Sequence, residues 1–284
     1  MLAEAIGGWL TNSLALIADA GHMLTDVAAL GLTLGAIWFA QRPATPKKTF
    51  GYYRLEILAA FVNGIALVLL SFWVIYEAVY RWQSPPEIDG SRMMIIAAGG
   101  LIVNVIAAFL LRSGHDHDLN IRGAWLHVMG DMLGSVAAVA AGLLIGFFGL
   151  FLADPICSVF ISLIIVYGSW RLIMDSVNVL LEGTPTHISL GAVERTILQT
   201  EGVNGVHDLH VWTISSGIDA LSAHISHYDS VAHSDLLVAV RERLHKEFGI
   251  DHLTIQMETM NRETEAVWVC ERGSRCFEPS KKHE

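Results

Sequence analysis

At 284 residues, 53% of them hydrophobic and only 16% charged, with a mean hydropathy of +0.48, the chain is too apolar for an ordinary soluble protein. Its net charge of −10 is concentrated in the last third, which also holds most of the histidines. An acidic, histidine-rich segment favours cations and argues against a nucleic-acid partner.

The chain opens on "MLAEAIGGWL", apolar but about half a span long, with neither the basic start nor the cleavage site of a signal peptide. It reads as the end of a helix whose beginning is missing; a short interfacial segment is the alternative. Five apolar stretches then reach the about 20 residues that cross a bilayer: roughly 13–40, 55–82, 93–111, 125–152 and 155–181. Arg42, Lys47, Lys48 and Arg54 follow the first of these, and Arg112 and Arg122 follow the third, whereas the alternate loops offer chiefly Arg81 and Arg92. The basic loops are therefore expected in the cytosol, and by parity so is the C-terminal third. A completed first helix would give six spans with both termini inside.

After Thr184-Pro185 the pattern becomes that of a soluble domain, giving expected boundaries of 1–185 for the membrane domain, 186–261 for the cytosolic domain and 262–284 for a flexible tail. The order is helix ("SLGAVERTILQT"), two strands around the turn "SGID", an amphipathic helix ("AHSDLLVAVRERLHKEF") and a closing strand ("DHLTIQME"). That order predicts a small α+β domain, ferredoxin-like but short of its first strand. Cys157 lies in the last span, and Cys270 and Cys276 in the tail, so the cysteines set no disulfide framework.

Chemistry enters where the oil is interrupted. Asp19, His22 and Asp26 lie three, four and seven apart in the first long span, on one helical face, and His127 and Asp131 repeat the H-x-x-x-D spacing in the fourth. An ionised group at mid-bilayer costs about 2.5–3.5 kcal/mol even on lenient scales, so the two stripes are expected to face inward and share a compensating cation. Two imidazoles and two carboxylates make the four ligands of a tetrahedral zinc site; magnesium and calcium prefer all-oxygen shells. Asp19 is open between a supporting or access-path role and plain interhelical hydrogen bonding. Asn63 and Asn104 read as interhelical hydrogen-bonding groups, and Asp154, before Pro155, is expected to meet water at the outer end of its span.

With these residues in hand, the sequence resembles the cation diffusion facilitator family, especially its zinc-exporting bacterial branch. The matching pieces are "SLALIADAGHMLTD", "FGYYRLEILAAFVNG", the paired H-x-x-x-D, "LADPICSVFISLIIVYGSWRL", "LLEGTP" and "GVHDLHVWTISSG". The resemblance implies a homodimeric metal/proton antiporter of the bacterial inner membrane, six-span per protomer, with a cytosolic metal-binding domain. It implies His22, Asp26, His127 and Asp131 as the transport site, and the two-histidine set points to zinc as cargo with protons as counter-ion.

The resemblance also matches His207, His224, His233 and Glu258 to a regulatory zinc site in the cytosolic domain, with Gln256 where some members have histidine. His210 stays unassigned. His115 and His117, in the loop "GHDHD", form a short version of a histidine-rich metal-collecting loop or else a plain solvated one; Cys270 and Cys276 form either a metal clip or a flexible thiol pair. Three rival functions share these ligands: an intramembrane metalloenzyme, a passive metal channel and a membrane metal sensor. The first lacks an H-E-x-x-H helix or a glutamate base beside the histidine pairs, and four saturating ligands suit carriage better than catalysis.

Overall fold

A computed structural model describes residues 1–40, 45–112, 119–215, 217–228 and 232–260, with the side chains of 33, 36, 37, 40, 119–124, 126, 127 and 260 outside the description. The expected loop ligands His115 and His117 and the tail cysteines Cys270 and Cys276 also lie outside the described residues. The elements run α1 (Leu2–Thr11), α2 (Leu14–Ala40), α3 (Arg54–Gln83), α4 (Gly90–Leu111), α5 (Leu119–Phe148), α6 (Ala153–Leu180), α7 (Leu190–Leu198), β1 (Val203–Ser215), β2 (Ile218–Tyr228), α8 (His233–Phe248) and β3 (His252–Met260). They form two compact units, Met1–Ala36 with Ala59–Met174, and Ile37–Leu58 with Asp175–Glu284.

Helices α2 to α6 each contain a stretch long and apolar enough to cross a membrane. The first unit buries Leu14, Leu16, Leu67, Val74, Met93, Ala138 and Ile161 in its core while leaving Phe109, Phe147 and Tyr167 72–81% exposed, the distribution expected where lipid is the outer solvent. With no hydrophobic force between helices in lipid, close packing must hold them, and small residues permit it. Helices α4 and α5 meet in this way: a Cβ on Gly142 would lie 2.9 Å from the Met94 backbone nitrogen, and one on Gly90 2.6 Å from that of Gly146.

The break between α1 and α2 is built from local chemistry. Asn12 adopts left-handed φ of 59°, its N–H donating to the Gly8 carbonyl, and Ser13 then starts α2 by accepting from the Leu16 N–H at 3.2 Å. Asp154 completes the start, accepting from the Ser13 hydroxyl at 2.6 Å and from the backbone N–H groups of Leu14 at 2.8 Å and Ala15 at 3.1 Å. It is wholly buried, so the expected water-exposed aspartate is corrected: its carboxylate satisfies the unpaired donors of a helix start.

In the second unit β2 pairs antiparallel with β1 and parallel with β3, through the α8 crossover, giving the order β1-β2-β3. One face carries the apolar core: Val211, Leu221, Ala223 and Ile225 from the sheet against Val193, Ile197, Val240 and Leu244 from the helices. The same unit holds an Arg54–Glu182 ion pair at 2.9 Å.

Candidate metal centres

The first centre is built on α2 and α5. His22 Nε2 lies 3.6 Å from Asp26 Oδ2, one turn along its own helix, and 3.5 Å from Asp131 Oδ1 on α5. These spacings exceed a good hydrogen bond, and they are close to the about 3.3 Å that tetrahedral ligand atoms keep at zinc bond lengths of 2.0–2.2 Å. All three groups can present a ligand atom within 4.8 Å of the others. Helix α5 also carries His127 one turn before Asp131, with its side chain outside the described residues.

These three side chains border a cavity of about 330 Å³, walled further by Asn63, Ile161, Ile165 and Ser169. Asp131 is only 13% exposed, and His22 and Asp26 are 23% and 28% exposed. Asp19 borders the same cavity, 4% exposed, with its Oδ1 3.1 Å from where a Cβ on Gly134 would stand. Glycine at 134, three residues beyond Asp131 on α5, thus makes room for the carboxylate.

The two asparagines separate. Asn104 donates through Nδ2 to the Ser135 hydroxyl at 3.3 Å, joining α4 to α5 as expected of an interhelical group, whereas Asn63 lines the ligand cavity. Glu4, 3% exposed in α1, was not singled out by the sequence reading; its carboxylate fills the space over Gly100. The available signal was the one that picked out Asp19, an acid inside an apolar segment.

The second centre lies on the face of the sheet away from the core. His207 and His224 are cross-strand partners with ring centroids 5.1 Å apart. Glu258 reaches both, Oε2 standing 3.3 Å from His207 Nε2 and Oε1 2.9 Å from His224 Nδ1, while Gln256 donates to that Oε1 at 3.0 Å. A bulge lets the face accumulate polar groups: between His207 and His210 strand β1 has an extra residue, with Asp208 at φ 51°. Simple alternation would put His207 and His210 on opposite faces. The extra residue returns both to the outer one, where Asp208 bonds His210 at 2.9 Å and approaches His224 Nε2 to 3.8 Å.

His233 is placed elsewhere. It stands at the first position of α8, its Nε2 3.1 Å from the Thr259 hydroxyl and its ring against that of His227. The structure thus brings His207, His224 and Glu258 together and leaves His233 out of that group.

Comparison with known proteins agrees with this two-part design. Residues 1–181 match the family described as the cation efflux transmembrane domain, and residues 185–260 match the cation efflux protein, cytoplasmic domain. A cadmium, cobalt and zinc/H(+)-K(+) antiporter of Bacillus subtilis is 46% identical over 275 residues, covering 95% of this chain and 88% of that protein. The metal cation efflux system protein CzcD of Cupriavidus metallidurans is 44% identical, covering 91% of this chain and 82% of its own length. The zinc transporter ZitB of Escherichia coli is 44% identical, covering 91% and 83%. Among solved structures, the metal-bound C-terminal domain of the CzcD transporter from Cupriavidus metallidurans is 37% identical, covering 25% of this chain and 99% of that domain, with a TM-score of 0.23. With both domain descriptions matched in order along one sequence, the chain belongs to the cation efflux family.

Proposed function

We propose that the protein exports divalent transition-metal cations, zinc first among them, across the bacterial inner membrane in exchange for protons. The observation that carries this reading is the approach of His22 Nε2 to both Asp26 and Asp131 beside a cavity between membrane-crossing helices. His127, one turn from Asp131, is the fourth ligand. A divalent cation neutralises the two carboxylates, which explains why charge is tolerated in an apolar helix. The mixed nitrogen and oxygen set selects zinc and its neighbours over magnesium and calcium.

Exchange follows from competition. A metal ion needs neutral imidazole and ionised carboxylate, and a proton occupies the same lone pairs, so binding one expels the other. Rocking of helices around a fixed mid-membrane site exposes it to one side and then the other. No covalent bond forms or breaks, so the protein is a carrier and not an enzyme. The domain boundaries are 185 and 261, the second domain lies in the cytosol, and His207, His224 and Glu258 there bind a regulatory zinc ion, with two copies of the chain assembling as a homodimer.

Zinc flux in proteoliposomes under imposed gradients tests the reading. Flux is expected to rise with an opposing proton gradient, to fall when that gradient is collapsed, and to drive protons the opposite way as zinc moves. Flux driven equally well with no gradient would make the protein a channel, and tight zinc binding with no flux would make it a sensor. A potassium gradient imposed separately tells whether that ion shares the counter-ion role, as the name of the Bacillus relative says of that protein.

A further inference from the structure

We infer that the C-terminal domain carries another metal site, on the opposite side of its sheet from His207, His224 and Glu258, in which His227 and His233 hold a zinc-like divalent cation. His224 and His227 are three residues apart on β2 and therefore face opposite ways. His227 shares its face with Ala223 and Ile225, both in the apolar core, and its own exposure is 0%.

A histidine enclosed there needs both ring nitrogens accounted for. Nδ1 lies 2.8 Å from the Tyr228 carbonyl oxygen, which can only accept, so Nδ1 carries the proton. That leaves Nε2 with a bare lone pair, buried and with no hydrogen-bond partner among the described residues. A buried polar atom in that state is destabilising unless something occupies it.

The nearest group with matching chemistry is His233, whose ring centroid is 4.4 Å from that of His227 with the planes at 89°. His233 Nε2 is held by Thr259 Oγ1 at 3.1 Å, and Thr259 is the strand partner of His227 on β3. Each imidazole therefore has one nitrogen anchored to protein, the arrangement in which histidine presents its other nitrogen to a metal; the Tyr228 carbonyl fixes the tautomer of His227, and the Thr259 hydroxyl is able to accept from His233 Nε2–H. The free atoms are Nε2 of His227 and Nδ1 of His233. His233 is exposed, so its ring can turn toward a cation without disturbing the core, whereas His227 is locked in place. Two neutral imidazoles suit zinc, cobalt or nickel, and water fills the remaining positions. Glu258 cannot serve this site, because it precedes Thr259 on β3 and points to the other face.

The test uses the full chain, purified in detergent and stripped by a chelator, with cobalt(II) bound at equilibrium dialysis as the readout. His227→Leu and His233→Ala are each expected to remove the same single equivalent, and the double variant no more than one. His207→Ala is expected to remove a different equivalent, additively. His233→Cys should restore the lost equivalent and add a thiolate-to-cobalt charge-transfer band. Unchanged cobalt stoichiometry in His233→Ala, loss of the same equivalent in His207→Ala, or no new band in His233→Cys would each overturn the site. His233 is exposed, so its variants carry the test even if His227→Leu fails to fold.

Discussion

The Ser13 hydroxyl donates to Asp154 Oδ1 at 2.6 Å, joining the start of α2 to the first turn of α6 across 141 residues of sequence. Two backbone N–H groups of α2 converge on the same carboxylate, so this one side chain fixes where the helix bearing His22 and Asp26 begins. Asp154→Ala leaves three donors without their acceptor and should cost about 1–3 kcal/mol. Asp154→Asn, which retains one carbonyl acceptor, should cost less. Thermal unfolding in detergent, followed by the loss of monodisperse protein, is expected to rank wild type above Asn and Asn above Ala; equal melting temperatures would refute the capping role.

Asp131→Ala removes a proposed ligand whose oxygen is 3.5 Å from His22 Nε2. Loss of a second-layer partner alone typically weakens a metal site about 10–100-fold, so a lost ligand should do at least that and abolish measurable zinc flux. His22→Asp turns the site toward oxygen and is expected to admit manganese, which the nitrogen-containing set disfavours. Competition of manganese with zinc for uptake into vesicles reads out both variants.

Two glycines, Gly142 on α5 and Gly99 on α4, give opposite expectations. Gly142→Ala drives a methyl group to 2.9 Å from the Met94 backbone nitrogen, where nothing flexible can yield, and should destabilise by about 1–3 kcal/mol. Gly99→Ala meets nothing within 4 Å and should leave stability unchanged or raise it by up to about 1 kcal/mol through helix propensity. The same melting assay compares them.

The bulge at Asp208 predicts a backbone effect distinct from loss of charge. At φ 51°, Asp208→Gly keeps the conformation freely, whereas Asp208→Val meets a penalty of about 1–2 kcal/mol and pushes β1 toward regular alternation. Zinc titration calorimetry should find the His207–His224–Glu258 site retained in the glycine variant and weakened in the valine variant. Equal binding in both would show that the bulge does not position the ligands.

Much of this architecture was legible because it rests on length and period. Apolar runs mark the spans, a four-residue spacing puts His22 with Asp26, and alternation around "SGID" marks the β1–β2 hairpin. What escaped depends on contacts between distant residues or on broken periodicity. Asp154 looked like an outer-end aspartate because its donors are some 140 positions away. His210 had no assignable face because strict alternation does not foresee an extra residue at Asp208. His233 was grouped with His207 through the family resemblance, and no periodicity in the sequence tells that the first residue of α8 stands beside His227. The segment "HDLH" held a usable signal: polar residues spaced three apart in a strand require a bulge if they are to act together.

The close approach of α4 and α5 also bears on how the proposed transport site could open to either side. Sliding one helix along another requires side chains that repack rotamer by rotamer, like teeth with play between them. Here backbone meets backbone at Gly90 and Gly142, with no rotamers to exchange. Such contacts favour movement of the two helices as one piece, so a change in the distance between Asp131 and His22 would require α5 to carry α4 with it.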